Sequence, residues 1–560
     1  MQSSTLKWVD ARWFTRLLET IPGLATWFTL IAPILLSLRW PVAVAYFIIG
    51  FDLYWMAKSY RMSYYLVRAY QQMRRASQIN WQDRLVQLAD VEAARSFAQM
   101  RRQTAYRRMS AWSWRWHRLL QTKAWHDYQV LVAEEARLTV LAARGHDIFD
   151  PSTIYHVVIM ATYNESLDIL EPSVKALTEA DYPLERIIFV LAYEERGGPQ
   201  TARNAEILME KYGHRFGMAL AVKHPDNLPG EVIGKGGNIT YAGRHLAKAI
   251  KAQGIAPERV IVTTFDSDHR ASRQYFNYLT YEYAIDPERQ HKSYQPIPMF
   301  YNNIWDVPAA MRVLATGNSF WIFIEMMRPN RLRNFAAHAQ CLAALIDTDF
   351  WSVTTIVEDG HQYWRTYFRY SGQHYVVPLF TPVYQDAVMA ETYIKTMRVQ
   401  FLQLRRWAWG ASDFAFAVRE SIIHREIPWS NKLVQLARLI EGHYSWSTSS
   451  LLLMFTAWLP LYLNQQFSYT SLAHNLPVIT SRILMVASVS LALTIVISII
   501  LLPKRPQRYG MWRSLAMLWQ WCLMPATAIV FSSFAAINAQ TRLMFGKYLE
   551  FYVTDKAVKK

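Results

Sequence analysis

The sequence predicts an α/β domain set between N-terminal and C-terminal groups of transmembrane helices. Three observations carry this. Apolar stretches of bilayer length lie only towards the two ends of the 560-residue chain, at Thr20–Leu38, Trp40–Ala57, Tyr444–Leu463, Ile483–Pro503 and Ser514–Thr541. Each is close to the ~20 residues that a spanning helix needs. Between the two groups, short runs rich in β-branched residues alternate with helical stretches, the pattern of a parallel sheet with crossover helices. Polar residues capable of chemistry follow the ends of those runs, where open α/β sheets bind ligands. Buried helices of a large soluble core are the competing account of the apolar stretches. Their confinement to the ends of the chain argues against it.

The composition agrees. Apolar residues make up 52% of the chain, and Trp alone counts 22. Asp10 and Glu19 precede the first apolar run and no small-residue cleavage site follows it, so the run reads as a retained anchor. Two cysteines, Cys341 and Cys522, far apart in sequence, support neither a disulfide framework nor a thiolate metal site, and fit a reducing compartment. The net charge of +17 is uneven, with 14 Lys and Arg against 3 Asp and Glu between Lys58 and Trp125. Basic, Trp-rich sequence beside an apolar span is a positive-inside flank that attracts anionic lipid. Nucleic-acid binding is the rival reading of such a run. Its direct junction with a span argues for membrane lipid as partner and against nucleic acid.

In chain order, residues 1–57 comprise an interfacial helix marked by Trp8, Trp13 and Phe14, then two spans joined by a turn at Arg39-Trp40-Pro41. Residues 58–149 have few glycines or prolines and read as basic juxtamembrane helices. The α/β domain is expected over 150–390. Its first strand ends in Thr162-Tyr163-Asn164-Glu165, its second in Glu194-Glu195, and a later one in Asp266. Residues 391–443 read as amphipathic interfacial helices, and 444–560 as the last membrane group with a short tail.

Three polar motifs carry the chemistry. In Asp266-Ser267-Asp268, two carboxylates two residues apart on extended backbone can reach one hard cation; a solvated turn is the bland alternative. Glu358-Asp359 can supply a base that takes a hydroxyl proton, or can simply favour a helix N-terminus through the dipole. Gln403, Arg406 and Trp407 share a helix, with Gln403 and Arg406 on one face. Arginine suits phosphate, and Trp offers a stacking plate; a membrane-interface Trp–Arg belt has the same composition.

These motifs, in this order, resemble the processive family-2 glycosyltransferases of the cellulose-synthase and hyaluronan-synthase type. The resemblance covers roughly residues 150–410. It implies a GT-A-like domain, a Rossmann-like mixed sheet, between membrane helices. It implies metal ligation (Mg²⁺ or Mn²⁺) by Asp266 and Asp268, and Asp359 as the base. It further implies diphosphate and acceptor contacts from Gln403, Arg406 and Trp407, and donor contacts from Thr162, Tyr163, Glu165, Glu194, Lys235 and Asp266. Gly234-Lys235-Gly236-Gly237-Asn238 is similar to the family's Gly-Lys segment. Phe551-Tyr552-Val553-Thr554-Asp555-Lys556 resembles the gating loop of bacterial cellulose synthase, which implies Phe551, Val553, Thr554 and Lys556 as gating residues. The chain departs from the pattern at Glu194-Glu195, where the family has Asp-Asp, and at Val357, where it has Thr. The resemblance implies inverting transfer from a nucleotide sugar, UDP-linked, to a growing β-linked polysaccharide at a bacterial inner membrane, with a cytoplasmic catalytic domain. Transfer of one sugar to a lipid or polyprenyl phosphate is the alternative among enzymes. A membrane scaffold is the alternative outside them, and it leaves the ordered motifs unexplained.

Charges set the expected topology. The segment between Leu463 and Arg482 carries no Asp, Glu, Lys or Arg, whereas Lys504, Arg505, Arg508 and Arg513 crowd the next loop. The first is therefore expected outside and the second inside. Pro525 divides the final apolar stretch, which predicts a re-entrant or interfacial hairpin that returns the C-terminus inside.

Overall fold

The structure is a computed structural model that describes residues 7–108, 118 and 123–550. Two long helices, Arg12–Arg39 and Pro41–Gln78, open the chain and turn about Trp40. The helices Trp81–Ala89, Val91–Arg108 and Lys123–Ala142 follow, as the scarcity of breakers in 58–149 predicts.

The domain that follows is built on one eight-stranded mixed sheet of order β3-β2-β1-β4-β7-β6-β8-β5. The strands used below are β1 (Tyr155–Thr162), β2 (Ile187–Glu194), β3 (Met218–His224) and β4 (Val260–Asp266). These four run parallel. β7 (Ala339–Cys341) pairs antiparallel to β4 and to β6 (Lys292–Met299). β8 (Tyr375–Tyr384) pairs parallel to β6. β5 (Arg270–Ala271) closes the edge. This is the GT-A-like α/β architecture expected.

β1, β2 and β4 are buried at almost every position because both of their faces are covered. Val158 and Met160 of β1 point into one core, with Leu170, Val174, Leu208 and Phe276 from three helices. Val157 and Ile159 point into the other, with Ile239, Leu246 and Ile250 of the Lys235–Ala252 helix. The period-2 alternation of a strand thus divides one run of residues between two cores.

Among the described residues, four helices are long and apolar enough to cross a membrane: Arg12–Arg39, Pro41–Gln78, Ser471–Leu501 and Met511–Met544. The fifth apolar stretch, Tyr444–Leu463, is not one continuous helix. It is the end of the Trp429–Phe455 helix, a 3-10 turn at Thr456–Trp458 and a short helix at Leu459–Leu463. It nonetheless follows the first helix, through Thr29 Oγ1 to Tyr444 Oη (2.9 Å), Thr26 Oγ1 to Ser447 Oγ (2.7 Å) and Asn464 Nδ2 to Leu38 O (3.1 Å).

The hairpin expected at Pro525 is not formed. Backbone at Gln520, Met524, Ala528 and Phe534 is right-handed helical throughout, so the chain does not reverse. Pro525 stands in the first turn of a helical segment, where its missing N–H costs nothing, and a 3-10 turn before it and a π segment at Ala528–Ser533 absorb the change in pitch. Each end of the run is held by an arginine. Arg513 donates to Trp305 O (2.7 Å) and Val307 O (3.2 Å) of the α/β domain. At the other end, Arg16 donates to Leu543 O (3.1 Å) and Met544 O (3.0 Å). Arg16 lies in the second turn of the Arg12–Arg39 helix, a few positions after Asp10, which pairs with Arg419 after the domain (2.7 Å). The run is a continuous helix with local changes of pitch, not a hairpin.

Candidate active site

The carboxyl ends of three parallel strands lie level. Ala161 is in register with Ala192 of β2 on one side and with Asp266 of β4 on the other. Thr162, Glu194 and Asp266 therefore open onto one edge, although 104 positions separate the first from the last. Asn238 fixes the Gly-Lys segment over that edge: its Nδ2 donates to Ala192 O (2.9 Å) and Thr162 O (3.5 Å). The first turn of the Lys235–Ala252 helix, with unpaired N–H groups suited to anions, thus sits above the strand ends.

Gly236 shows how tightly this turn is seated. A Cβ there would lie 2.4 Å from Ser352 O and 3.2 Å from Glu358 Cβ. Gly236→Ala must therefore displace the Ser352–Glu358 loop. We expect it to cost about 1–3 kcal/mol, the usual range for overpacking, with a lower melting temperature by intrinsic fluorescence. An unchanged melting temperature would refute the close seating.

Five of the sequence-predicted residues form one electrostatic cluster. Lys235 Nζ pairs with Asp266 Oδ1 at 2.5 Å. Burial opposes the lysine's charge, but Asp266, Glu358 and Asp359 together hold its pKa above the ordinary value. Glu358 and Asp359 are the first two residues of the Glu358–Arg369 helix, so the helix-terminus reading of this pair is correct and compatible with a chemical role. Burial raises the pKa of both, and the Asp359 charge raises Glu358 further. Lys235 and Arg406 act in the opposite direction on both carboxylates. Gly360 N donates to Asp359 Oδ1 (2.7 Å). A buried carboxylate that is raised in pKa yet faced by two cations has the chemistry that a general base needs.

The second group is Asp266, Asp268 and His269, whose candidate ligand atoms all lie within 4.8 Å of one another. Asp268 is buried; its Oδ2 accepts from Asp386 N (2.8 Å) and its carbonyl from Asn302 Nδ2 (3.0 Å). His269 Nδ1 accepts from Asp266 N (3.1 Å), which leaves the ring proton on Nε2, 3.4 Å from Asp266 Oδ2. In that tautomer His269 orients Asp266 and does not ligate. Two carboxylates remain, hard oxygen donors of the kind that Mg²⁺ and Mn²⁺ take, so the donor set fits a divalent cation.

The third group lines the ends of β1 and β2. Glu165 Oε2 accepts from Thr162 Oγ1 (2.7 Å) and Tyr163 N (2.8 Å), so this carboxylate is engaged in closing its own loop. Glu194 is ion-paired to Arg196, whose guanidinium lies over the Tyr163 ring (4.3 Å to the centroid). Gln403, Arg406 and Trp407 all lie on the Tyr393–Ala408 helix. Gln403 Oε1 accepts from Gln400 Nε2 (3.2 Å), Arg406 faces Glu358 and Asp359, and Trp407 packs on Phe300 (6.2 Å between rings).

The tail residues Phe551, Val553, Thr554 and Lys556 lie outside the described residues. The chain leading to them does not. Leu549 is buried in a cluster with Ile356 and Val357, directly before Glu358, and Tyr548 meets Trp409 edge-on (6.0 Å).

Sequence reasoning missed His269, Arg196, Asn302 and Asp386. His269 was visible as the neighbour of the Asp-x-Asp pair. The roles of Asn302 and Asp386 depend on contacts to Asp268 across 34 and 118 positions and left no local signal.

No family model matches the sequence, and no curated protein matches it. Solved structures with some likeness include three glycosyltransferases. A mannosyltransferase, PcManGT from Pyrobaculum calidifontis, in complex with GDP-Man and Mn²⁺, is 15% identical over 68% of this chain and 88% of its own, with a TM-score of 0.37. TarS 1–349 from S. aureus, in complex with UDP-GlcNAc, is 15% identical over 72% of this chain and 95% of its own, with a TM-score of 0.34. GalNAc-T7 with UDP, GalNAc and Mn²⁺ is 10% identical over 52% and 58%, with a TM-score of 0.29. At these values the likeness carries no argument; the fold rests on the strand order, and the site on its own geometry.

Proposed function

We propose that this chain is a membrane-embedded, inverting glycosyltransferase. It moves a sugar from a nucleotide-sugar donor, UDP-linked, to a growing β-linked polysaccharide. One observation carries the reading: the Asp266–Lys235 pair, the Glu358-Asp359 carboxylates and Arg406 converge at one sheet edge, beside membrane-length helices.

Thr162, Tyr163 and Glu194, with Arg196 bracing the last two, hold the nucleoside. Lys235 and Arg406 face the donor diphosphate. A divalent cation held by Asp266 and Asp268 would neutralise the leaving diphosphate when bound. Asp359 takes the acceptor hydroxyl proton as that oxygen bonds to the anomeric carbon. The carbon–oxygen bond to the diphosphate breaks in the same displacement, which inverts the centre and releases the nucleoside diphosphate. Gln403 and Trp407 position the acceptor. Leu549, packed against Ile356 and Val357, brings the end of the described chain beside Glu358.

The test is a nucleotide-sugar screen of the purified full-length protein with Mg²⁺ or Mn²⁺. The expected result is metal-dependent nucleotide release from one donor and a ladder of long products. Single adducts would move the reading to a lipid acceptor. No release from any donor would reject enzymatic transfer in favour of a scaffold.

A further inference from the structure

A second polar cleft, of about 390 Å³, lies between the Pro41–Gln78 and Trp429–Phe455 helices and the loop after Met326. It is lined by Lys58, Arg61, Arg328, Arg331 and Arg438, with Glu441 as the only carboxylate among the lining residues. Glu441 is already taken, by Lys58 (3.0 Å) and Arg331 (2.5 Å). Glu325 pairs with Arg328 (2.9 Å). Arg438 donates to Asn330 O (2.7 Å), and no carboxylate pairs with it among the described residues. Arg61 makes no hydrogen bond or ion pair among the described residues and stands near enough to Arg328 to disfavour its charge. The cleft therefore holds more positive charge than its own carboxylates balance.

Its level is set independently by two helices. Lys58 is the first basic residue after the apolar stretch Trp40–Ala57, with its ammonium over Trp55 (4.2 Å to the ring centroid). Glu441 stands just before the apolar stretch that begins at Tyr444. Both mark the membrane–water boundary, where Trp, Lys and Arg collect and lipid phosphates lie.

We propose that this cleft binds a phosphate ester, that of an acidic phospholipid headgroup at the membrane surface. Arg61 and Arg438 supply the cations not paired with carboxylates, and Lys58 and Arg331, held in place by Glu441, form the wall.

Native mass spectrometry of delipidated, full-length protein tests this, with phosphatidylglycerol, phosphatidylcholine and inorganic phosphate as probes. The expected result is a one-to-one phosphatidylglycerol adduct that phosphatidylcholine does not match. Arg61→Gln with Arg438→Gln should weaken it about thirtyfold, at the usual contribution of a juxtamembrane cation. Lys248→Gln with Lys251→Gln, an equal charge change on the exposed face of the Lys235–Ala252 helix, outside the cleft and the basic flank, should leave it unchanged. Arg61→Gln alone breaks no described hydrogen bond and should give an intermediate loss in a folded protein. Equal binding of phosphatidylcholine, an unaltered adduct in the cleft variants, or an equal loss in the control pair would each overturn the proposal. Displacement by millimolar inorganic phosphate would assign the cleft to a soluble phosphate and overturn the lipid assignment.

Discussion

Asp359→Asn is expected to lower sugar transfer by about 10²–10⁴-fold, the contribution of a positioned general base, while donor affinity changes little. The substitution keeps the shape of the side chain and removes its basicity. It also removes the like charge beside Glu358, whose pKa should fall towards the ordinary carboxylate range. Two pH slopes follow. In the folded protein the pKa of both carboxylates lies above the ordinary, unfolded value, so the folded state holds their protons to higher pH. Stability should therefore fall as pH rises from the ordinary carboxylate range through the raised one, where charge is forced on buried groups. Turnover should rise across that same window, because only deprotonated Asp359 accepts a proton. Asp359→Asn should flatten both slopes. Turnover profiles and melting temperatures across pH check this together, and near-normal turnover in the variant would remove Asp359 from its role.

Asp266→Ala should have a comparable effect on turnover by another route. It removes a carboxylate of the cation site, and loss of charge stabilisation of several kcal/mol at the leaving group corresponds to roughly 10²–10⁴-fold in rate. It also strips Lys235 of its closest counter-charge. Breaking a buried pair costs about 3–5 kcal/mol. The cost here should be nearer ~1–2 kcal/mol, because the Asp266 side chain is 37% exposed and Lys235 keeps Glu358 and Asp359. Lys235→Met added to Asp266→Ala should restore neither melting temperature nor turnover, because Glu358 and Asp359 then lose a cation that faces them. Chelation of the wild-type protein should abolish nucleotide release and leave the melting temperature within about a degree. Release that persists in excess chelator would remove the cation from the mechanism.

Much of this site was legible in the residues because its parts are local. Asp266 is the last residue of β4 and Glu194 of β2, and strand ends can be read from where apolar runs stop. The chemical types were legible as well, since a carboxylate pair, an Arg–Trp step and a Gly-Lys turn each occupy a few consecutive positions. Other features were not. The pairing of Lys235 with Asp266, the stacking of Arg196 on Tyr163, and the use of Glu165 to close its own loop depend on rotamers and on neighbours brought by the fold.

The last apolar stretch makes the same division from the opposite side. Its proline predicted a reversal, since proline removes a helix hydrogen bond. The chain instead shifts pitch through 3-10 and π turns, with one end held by its own Arg513 on Trp305 and the other by Arg16 of the first helix. A local preference of ~3 kcal/mol against an interior proline is offset by its place in a first turn and by those anchors. By itself, then, the sequence determined the alternation of strands and helices, the membrane-length ends and the chemical types at each strand terminus, because hydrophobic periodicity and residue type act within a few positions. Tertiary structure alone decided that Ala161 stands level with Ala192 and Asp266, that Leu549 arrives beside Val357, and that five cations share one cleft. Those outcomes come from packing and charge summed over contacts tens to hundreds of residues apart, and no short window of sequence contains them.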